Sequence, residues 1–88
     1  MKKKTKYILY ILKCSDGTLY TGITTDMDRR LIEHNSSTLG AKYTRARRPV
    51  ELAYAKAFKD RSAASIEESR VKKLSREKKL GLIGSLAE

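Results

Sequence analysis

Two tyrosines, an arginine, a histidine and a pair of neighbouring glutamates are the residues of this chain that could do chemistry together. Tyr10, Tyr20 and Arg30 follow one another at intervals of ten residues, His34 comes four residues later, and Glu67 and Glu68 lie further on. Two phenols, a guanidinium, an imidazole and a carboxylate can serve a metal-dependent attack of water on a phosphodiester. A free phenol has a pKa near 10 and is a poor base at neutral pH. Beside a metal ion and a guanidinium its anion becomes more accessible. One phenol can then accept the proton of the attacking water while the other holds that water or the phosphate. Arg30 presents a planar fork suited to phosphate oxygens and to the charge that builds during phosphoryl transfer. His34 can protonate the leaving oxygen, or simply bond to a tyrosine or phosphate. Each group also has an ordinary explanation. Tyrosines favour strands for packing alone, and helical acids are usually solvated. The chemistry therefore depends on the elements that must bring these residues together.

Those elements can be read from the pattern. Lys6 to Cys14 is β-branched and aromatic-rich with apolar residues on both parities, as in a strand covered on both faces. Leu19 to Ile23 reads as its hairpin partner. The turn decides where the tyrosines point. A two-residue Asp16-Gly17 loop pairs Lys13 with Tyr20 and sends the two phenols to opposite faces. A three-residue loop, Ser15-Asp16-Gly17 with Gly17 left-handed, pairs Leu12 with Tyr20 and Tyr10 with Gly22, so that both share one face. A joint site requires the second arrangement, which is the expectation adopted.

A helix is expected from Met27 to Asn35, opened by Thr25 and Asp28 at capping-box spacing. Met27, Arg30, Leu31 and His34 form its inward stripe, which leaves Arg29 and Glu33 pointing elsewhere. Asn35 to Pro49, with Ser36, Ser37 and Gly40, reads as a basic loop, and Val50 to Phe58 as a third strand entered at Pro49. Asp60 or Ser62 can cap a helix through Leu74, and Ser75 a last helix with Leu80, Leu82, Ile83 and Leu86. The order ββαβαα implies an α+β domain with a small three-stranded antiparallel sheet flanked by helices.

Eighty-eight residues make one domain, residues 1–88, with a flexible basic N-terminus at 1–5. Twenty Lys and Arg against ten Asp and Glu leave a formal charge of +10, which favours a polyanion such as nucleic acid. The single cysteine, Cys14, excludes an internal disulfide framework and is expected to pack in the core. No apolar run approaches the ~20 residues of a membrane span, and Tyr7 to Leu12 is too short for a signal peptide. The expectation is a cytoplasmic protein with no membrane partner.

Lys42, Tyr43, Thr44, Arg45, Arg47 and Arg48 make the best nucleic-acid-binding patch, with cations for phosphates and an aromatic for a base. Lys72, Lys73, Arg76, Lys78 and Lys79 form a second basic surface, of the kind more often solvated than used.

Ile8-Leu9-Tyr10 and Tyr20-Thr21-Gly22, followed by Arg30, His34 and a helical glutamate, resemble the GIY-YIG nuclease superfamily in its small stand-alone bacterial form. The first motif lacks the leading glycine, and the second has Thr where the family name has Ile. Gly40-Ala41-Lys42-Tyr43-Thr44-Arg45 and Arg48-Pro49-Val50-Glu51-Leu52 resemble a stretch characteristic of those members. The resemblance covers nearly the whole chain and implies the GIY-YIG endonuclease fold. It implies a metal-dependent DNA endonuclease with Tyr10, Tyr20, Arg30, His34 and Glu68 as catalytic residues and Glu68 as the ligand of Mg²⁺ or Mn²⁺. Helical spacing places Glu67 nearer the apolar face; the family pattern of a glutamate three residues before an apolar-Lys pair, here Val71-Lys72, selects Glu68. The resemblance leaves RNA open as a substrate. So bare a unit implies structure-selective cleavage, as in DNA repair, or a protein partner that supplies specificity, acting as a monomer or weak dimer. The alternative is a nucleic-acid-binding module that keeps the site without catalysis.

Overall fold

Alternating side chains on the first strand divide the core in two, and the helices cover both halves. A computed structural model describes residues 6–36 and 39–86, so the expected flexibility of residues 1–5 and the placement of Ser37 in a loop lie outside the described residues. The elements are β1 (Tyr7–Lys13), β2 (Leu19–Thr24), α1 (Met27–Ser36), α2 (Lys42–Arg45), β3 (Glu51–Phe58), α3 (Arg61–Lys72) and α4 (Arg76–Leu86). The sheet is antiparallel in the order β2-β1-β3, so the apolar β1 is central and β2 is an edge. Leu9 and Ile11 pack with Tyr54 and Val71, joined by Leu19, Ile23, Leu74, Leu82 and Ile83, beneath α3 and α4. Tyr10, Leu12 and Cys14 pack with Val50, Tyr20, Met27 and Leu31 beneath α1. Cys14 is buried as expected. No helix among the described residues is long and apolar enough to cross a membrane.

The hairpin has the three-residue form. Leu12 pairs with Tyr20 and Tyr10 with Gly22. Gly17 takes φ +84°, a left-handed conformation that an L side chain resists. Asp16 holds the turn by accepting from the Thr18 N–H and hydroxyl. Both tyrosines consequently face α1.

Two expectations change. The start of α1 is capped by Asp26, whose Oδ1 accepts from the Arg29 N–H at 3.1 Å, and not by Thr25. Asp26 stands three residues before Arg29, the usual reach of a capping carboxylate, and its own N–H is held by Thr24. The basic stretch is not all loop, because Lys42–Arg45 forms a helical turn. On the last helix Leu80 is 42% exposed, whereas Leu82 and Ile83 pack inward. The caps of the later helices come from expected residues: Asp60 accepts from Ala63 and Ser75 from Lys78.

The candidate active site

The site is assembled on the α1 face of the hairpin. The Tyr10 and Tyr20 ring centroids lie 6.4 Å apart, and His34 reaches down between them at 5.8 and 5.3 Å. Helical periodicity puts His34 on the buried side of α1, where it is wholly inaccessible. Its polar atoms are satisfied by a chain of bonds whose direction can be assigned. Thr44 Oγ1 lies 2.9 Å from the Ala41 carbonyl, which can only accept, so the hydroxyl proton goes there. Thr44 Oγ1 therefore accepts from His34 Nδ1–H at 2.7 Å. That leaves Nε2 unprotonated, to accept from the Tyr10 hydroxyl at 2.9 Å. Burial, reinforced by the Arg30 charge, lowers the His34 pKa to about 4, so the ring is neutral at physiological pH.

Arg30 lies beside the Tyr10 phenol. Burial raises the Tyr10 pKa, while Arg30 draws it down. The Arg30 guanidinium is held from behind by Glu33 Oε1 at 2.9 Å and the Leu39 carbonyl at 2.8 Å. Burial would lower its own pKa, but Tyr10 and Glu33 outweigh that and raise it. Arg29 is more exposed and reaches only the other Glu33 oxygen, at 3.8 Å.

Gly22 is what lets Tyr10 lie where it does. A Cβ built on Gly22 would stand 2.6 Å from the Tyr10 hydroxyl oxygen and 2.8 Å from Cζ. Gly22→Ala should therefore push the phenol off His34 and cost about 1–3 kcal/mol, typical of overpacking. Urea unfolding would read the stability change, and the ¹⁵N shift of His34 Nε2 would report the lost bond. An unchanged shift would contradict this placement.

The two glutamates part company on α3. Both Glu67 oxygens are taken by the Arg70 fork, one at 2.9 Å, and that pairing depresses the Glu67 pKa. Glu68 pairs with Lys72 Nζ at 3.3 Å, its one polar contact among the described residues, and its charge is felt at Tyr10. No group of three or more His, Cys, Asp or Glu able to hold a metal exists among the described residues. The donors available are hard oxygens, one carboxylate with phenols nearby. That set suits a Mg²⁺-like ion that keeps most of its water, and not a zinc-type cage.

The basic loop is dispersed by the fold. Lys42 and Arg45 are exposed. Thr44 is fully buried behind His34. Tyr43 stacks on Tyr20 at 5.9 Å, while the Arg47 guanidinium lies 3.8 Å from the Tyr43 centroid. Tyr43 thus has both an aromatic and a cationic neighbour against its ring. Arg47 is itself fastened to Asp16 at 3.1 Å and to the Tyr43 carbonyl. Arg48 donates to the His34 and Glu33 carbonyls at 2.6 and 3.3 Å, closing the C-terminal end of α1. Asn35 bonds both the N–H and the carbonyl of Val50 and so docks the entry to β3.

Sequence reasoning missed three supports: Thr44 as the partner of His34, Asn35 as the clamp on Val50, and Arg47 as the backing of Tyr43. Polar residues at short spacing announce none of these, because each partner lies at least four and up to 31 residues away.

Comparison with known proteins agrees with this architecture. The family profile described as the GIY-YIG catalytic domain, a nuclease-superfamily domain, matches residues 6–80. The chain is 54% identical over 77 residues to a UPF0213 protein of Desulfotalea psychrophila, covering 88% of this chain and 70% of that one. It is 50% identical over 78 residues to a UPF0213 protein of Staphylococcus saprophyticus, covering 89% and 94% respectively. Among solved structures, it resembles the NMR structure of the protein EF2693 from E. faecalis with a TM-score of 0.65 and 43% identity, over 99% of this chain and 92% of that one. The NMR structure of the UPF0213 protein BH0048 from Bacillus halodurans gives a TM-score of 0.59 at 48% identity, over 90% and 83%. With the motif residues gathered on one sheet face and the profile spanning most of its length, the chain belongs to the GIY-YIG family, among the UPF0213 proteins.

Proposed function

We propose that this protein is a metal-dependent endonuclease that hydrolyses phosphodiester bonds of DNA, selecting structure more than sequence, in a role such as DNA repair. The observation that carries the reading is the bond from Tyr10 to a neutral His34, with Arg30 beside the same phenol. Because the Tyr10 proton already points at Nε2, its oxygen can take a proton from water while passing its own to His34. Arg30 faces the oxygen through which that charge passes, and the substrate's negative charge favours the imidazolium so formed. Tyr20 is half-buried where Tyr10 is closed off, so water and phosphate approach by way of Tyr20. A Mg²⁺ or Mn²⁺ ion held by Glu68 would supply Lewis-acid stabilisation of the phosphate oxygens.

A second reading, a nucleic-acid-binding module without catalysis, is favoured by one observation: Tyr10 is 1% and His34 0% exposed. A nuclease assay at low salt separates the two. Labelled single-stranded, duplex, flap and four-way-junction DNA, with an RNA strand alongside, would be incubated with Mg²⁺ or Mn²⁺. The expected result is metal-dependent product, with Tyr10→Phe lowering kcat by about 10²–10⁴-fold, the range for loss of general-base catalysis. Tyr20→Phe should act more on KM. Binding without product from any substrate and either metal would leave the binding module.

A further inference from the structure

The fold breaks up the second basic stretch. Lys72 pairs with Glu68, and Lys73 ends α3 in solvent. Arg76 and Lys79, one turn apart on α4, instead line a cavity of ≈ 220 Å³ with Thr18 and Leu19. Arg76 Nη1 donates to the Gly17 carbonyl at 2.5 Å, which spends one of its five donors and fixes the guanidinium at the rim. Lys79 has no side-chain partner among the described residues. Asp16, the carboxylate of the adjoining turn, is occupied by the Thr18 N–H and hydroxyl and by Arg47. The cavity therefore holds two cations with no carboxylate bonded to either among the described residues. Like charges facing one cavity repel, and an anion between them removes that repulsion.

The position of the cavity indicates which anion. Leu19 and Tyr20 are successive residues of β2, so they face opposite sides of the sheet. Leu19 lines the cavity on the α4 side, and Tyr20 belongs to the site on the α1 side. β2 is an edge strand, with no strand beyond it among the described residues. A polyanion draped over that edge meets Tyr20 on one side and the Arg76–Lys79 pair on the other.

We propose that this cavity is a phosphate-binding site, which takes a backbone phosphate of the nucleic acid at a distance from the one that reacts. The assignment to backbone phosphate rests on the nucleic-acid reading above; the assignment to phosphate does not. Lys79→Glu tests it by reversing the cavity charge that has no side-chain partner among the described residues. Lys59→Glu is the control. It makes the same change in net charge just beyond Phe58, which pairs with Tyr7 at the opposite end of β1 from the hairpin turn.

Affinity for a short fluorescent DNA at low salt should fall about tenfold in Lys79→Glu, and the slope of log K against log salt should shrink by about one phosphate's worth. Lys59→Glu should change affinity by less than about threefold. In parallel, inorganic phosphate titrated into the ¹⁵N-labelled protein should shift the Thr18 and Leu19 amides in wild type and not in Lys79→Glu. Equal losses of affinity in the two variants together with silent amides would overturn the proposal. Amide shifts with inorganic phosphate but no DNA binding by wild type would uphold the phosphate site, identify free phosphate as its source, and count against the nuclease reading alone. Thermal melting of each variant confirms that the fold is intact.

Discussion

Glu68→Ala is expected to lower the rate of phosphodiester cleavage by on the order of 10³-fold or more, while the affinity for DNA measured without metal persists. The size follows from what a single metal-holding carboxylate contributes. An ion that stabilises charge on the phosphate is worth several kcal/mol of barrier, and each 1.36 kcal/mol is about tenfold in rate. The neighbouring Glu67→Ala is the informative comparison. Its carboxylate is already bound on both oxygens by Arg70, whereas Glu68 keeps an oxygen without a partner among the described residues. Glu68 also contributes to the potential at Tyr10, where its charge favours the protonated phenol. Glu67→Ala should leave the rate within about threefold, because an exposed ion pair of this kind contributes little. Cleavage assays of both variants over a Mg²⁺ titration decide between them. If Glu67→Ala is the inactive one, α3 must be rotated relative to the hairpin from the arrangement described above. If neither loses activity, the metal-holding role of α3 is wrong.

Acid should destabilise this protein well above the pH at which its carboxylates titrate, and His34 is the reason. Its folded pKa of about 4 lies below the ordinary value of 6.5, because the ring is buried and beside Arg30. Between those values the unfolded chain binds a proton that the folded chain refuses, so lowering the pH favours unfolding. The contribution is fully present above pH 6.5, is lost as pH falls towards 4, and amounts to about 3 kcal/mol in all. For a domain of this size that is a large part of the total stability. Protonation at Nε2 would also end its acceptance of the Tyr10 proton. Urea midpoints at half-unit intervals from pH 7.5 to 4 should therefore slope steeply in wild type. His34→Gln can still accept from Tyr10 through its carbonyl but does not titrate. It should be less stable than wild type at pH 7 and lose much less between pH 6.5 and 4. Parallel slopes in the two proteins would show that the acid sensitivity comes from elsewhere.

Much of the framework was legible in the chain because it depends on local rules. β-branched and aromatic residues with apolar side chains on both parities marked β1, Leu19 to Ile23 read as its hairpin partner, and the requirement that Tyr10 and Tyr20 share a face selected the three-residue loop. Gly17 at φ +84° is the conformation which that loop demands. The inward stripe of α1 follows from helical spacing, and it singled out Arg30 over Arg29 and brought His34 towards the hairpin. Local rules misled where two candidates stood side by side. Thr25 and Asp26 are both good caps, and the geometry of the approach from Thr24 settled the matter in favour of Asp26. The basic stretch was read by composition alone, which cannot reveal that Ala41 opens a helical turn or that Thr44 points inward.

The sequence by itself determined the class of the fold, the excess of positive charge and the family to which the motifs belong. These follow from period, turn chemistry and composition, which act over a few residues or over the chain as a whole. The sequence offered two registers for the hairpin, and the structure decided that both tyrosines share a face. Only the tertiary structure decided which polar groups meet. It set Thr44 behind His34 and so chose the tautomer, stacked Tyr43 on Tyr20 with Arg47 against its ring, turned Arg48 onto the end of α1, and tied both Glu67 oxygens to Arg70 while pairing Glu68 with Lys72 through one. Periodicity states which side of an element a residue occupies. It does not state what stands opposite, and the strength of a hydrogen bond or the pKa of a histidine depends on that partner at a distance of about 3 Å.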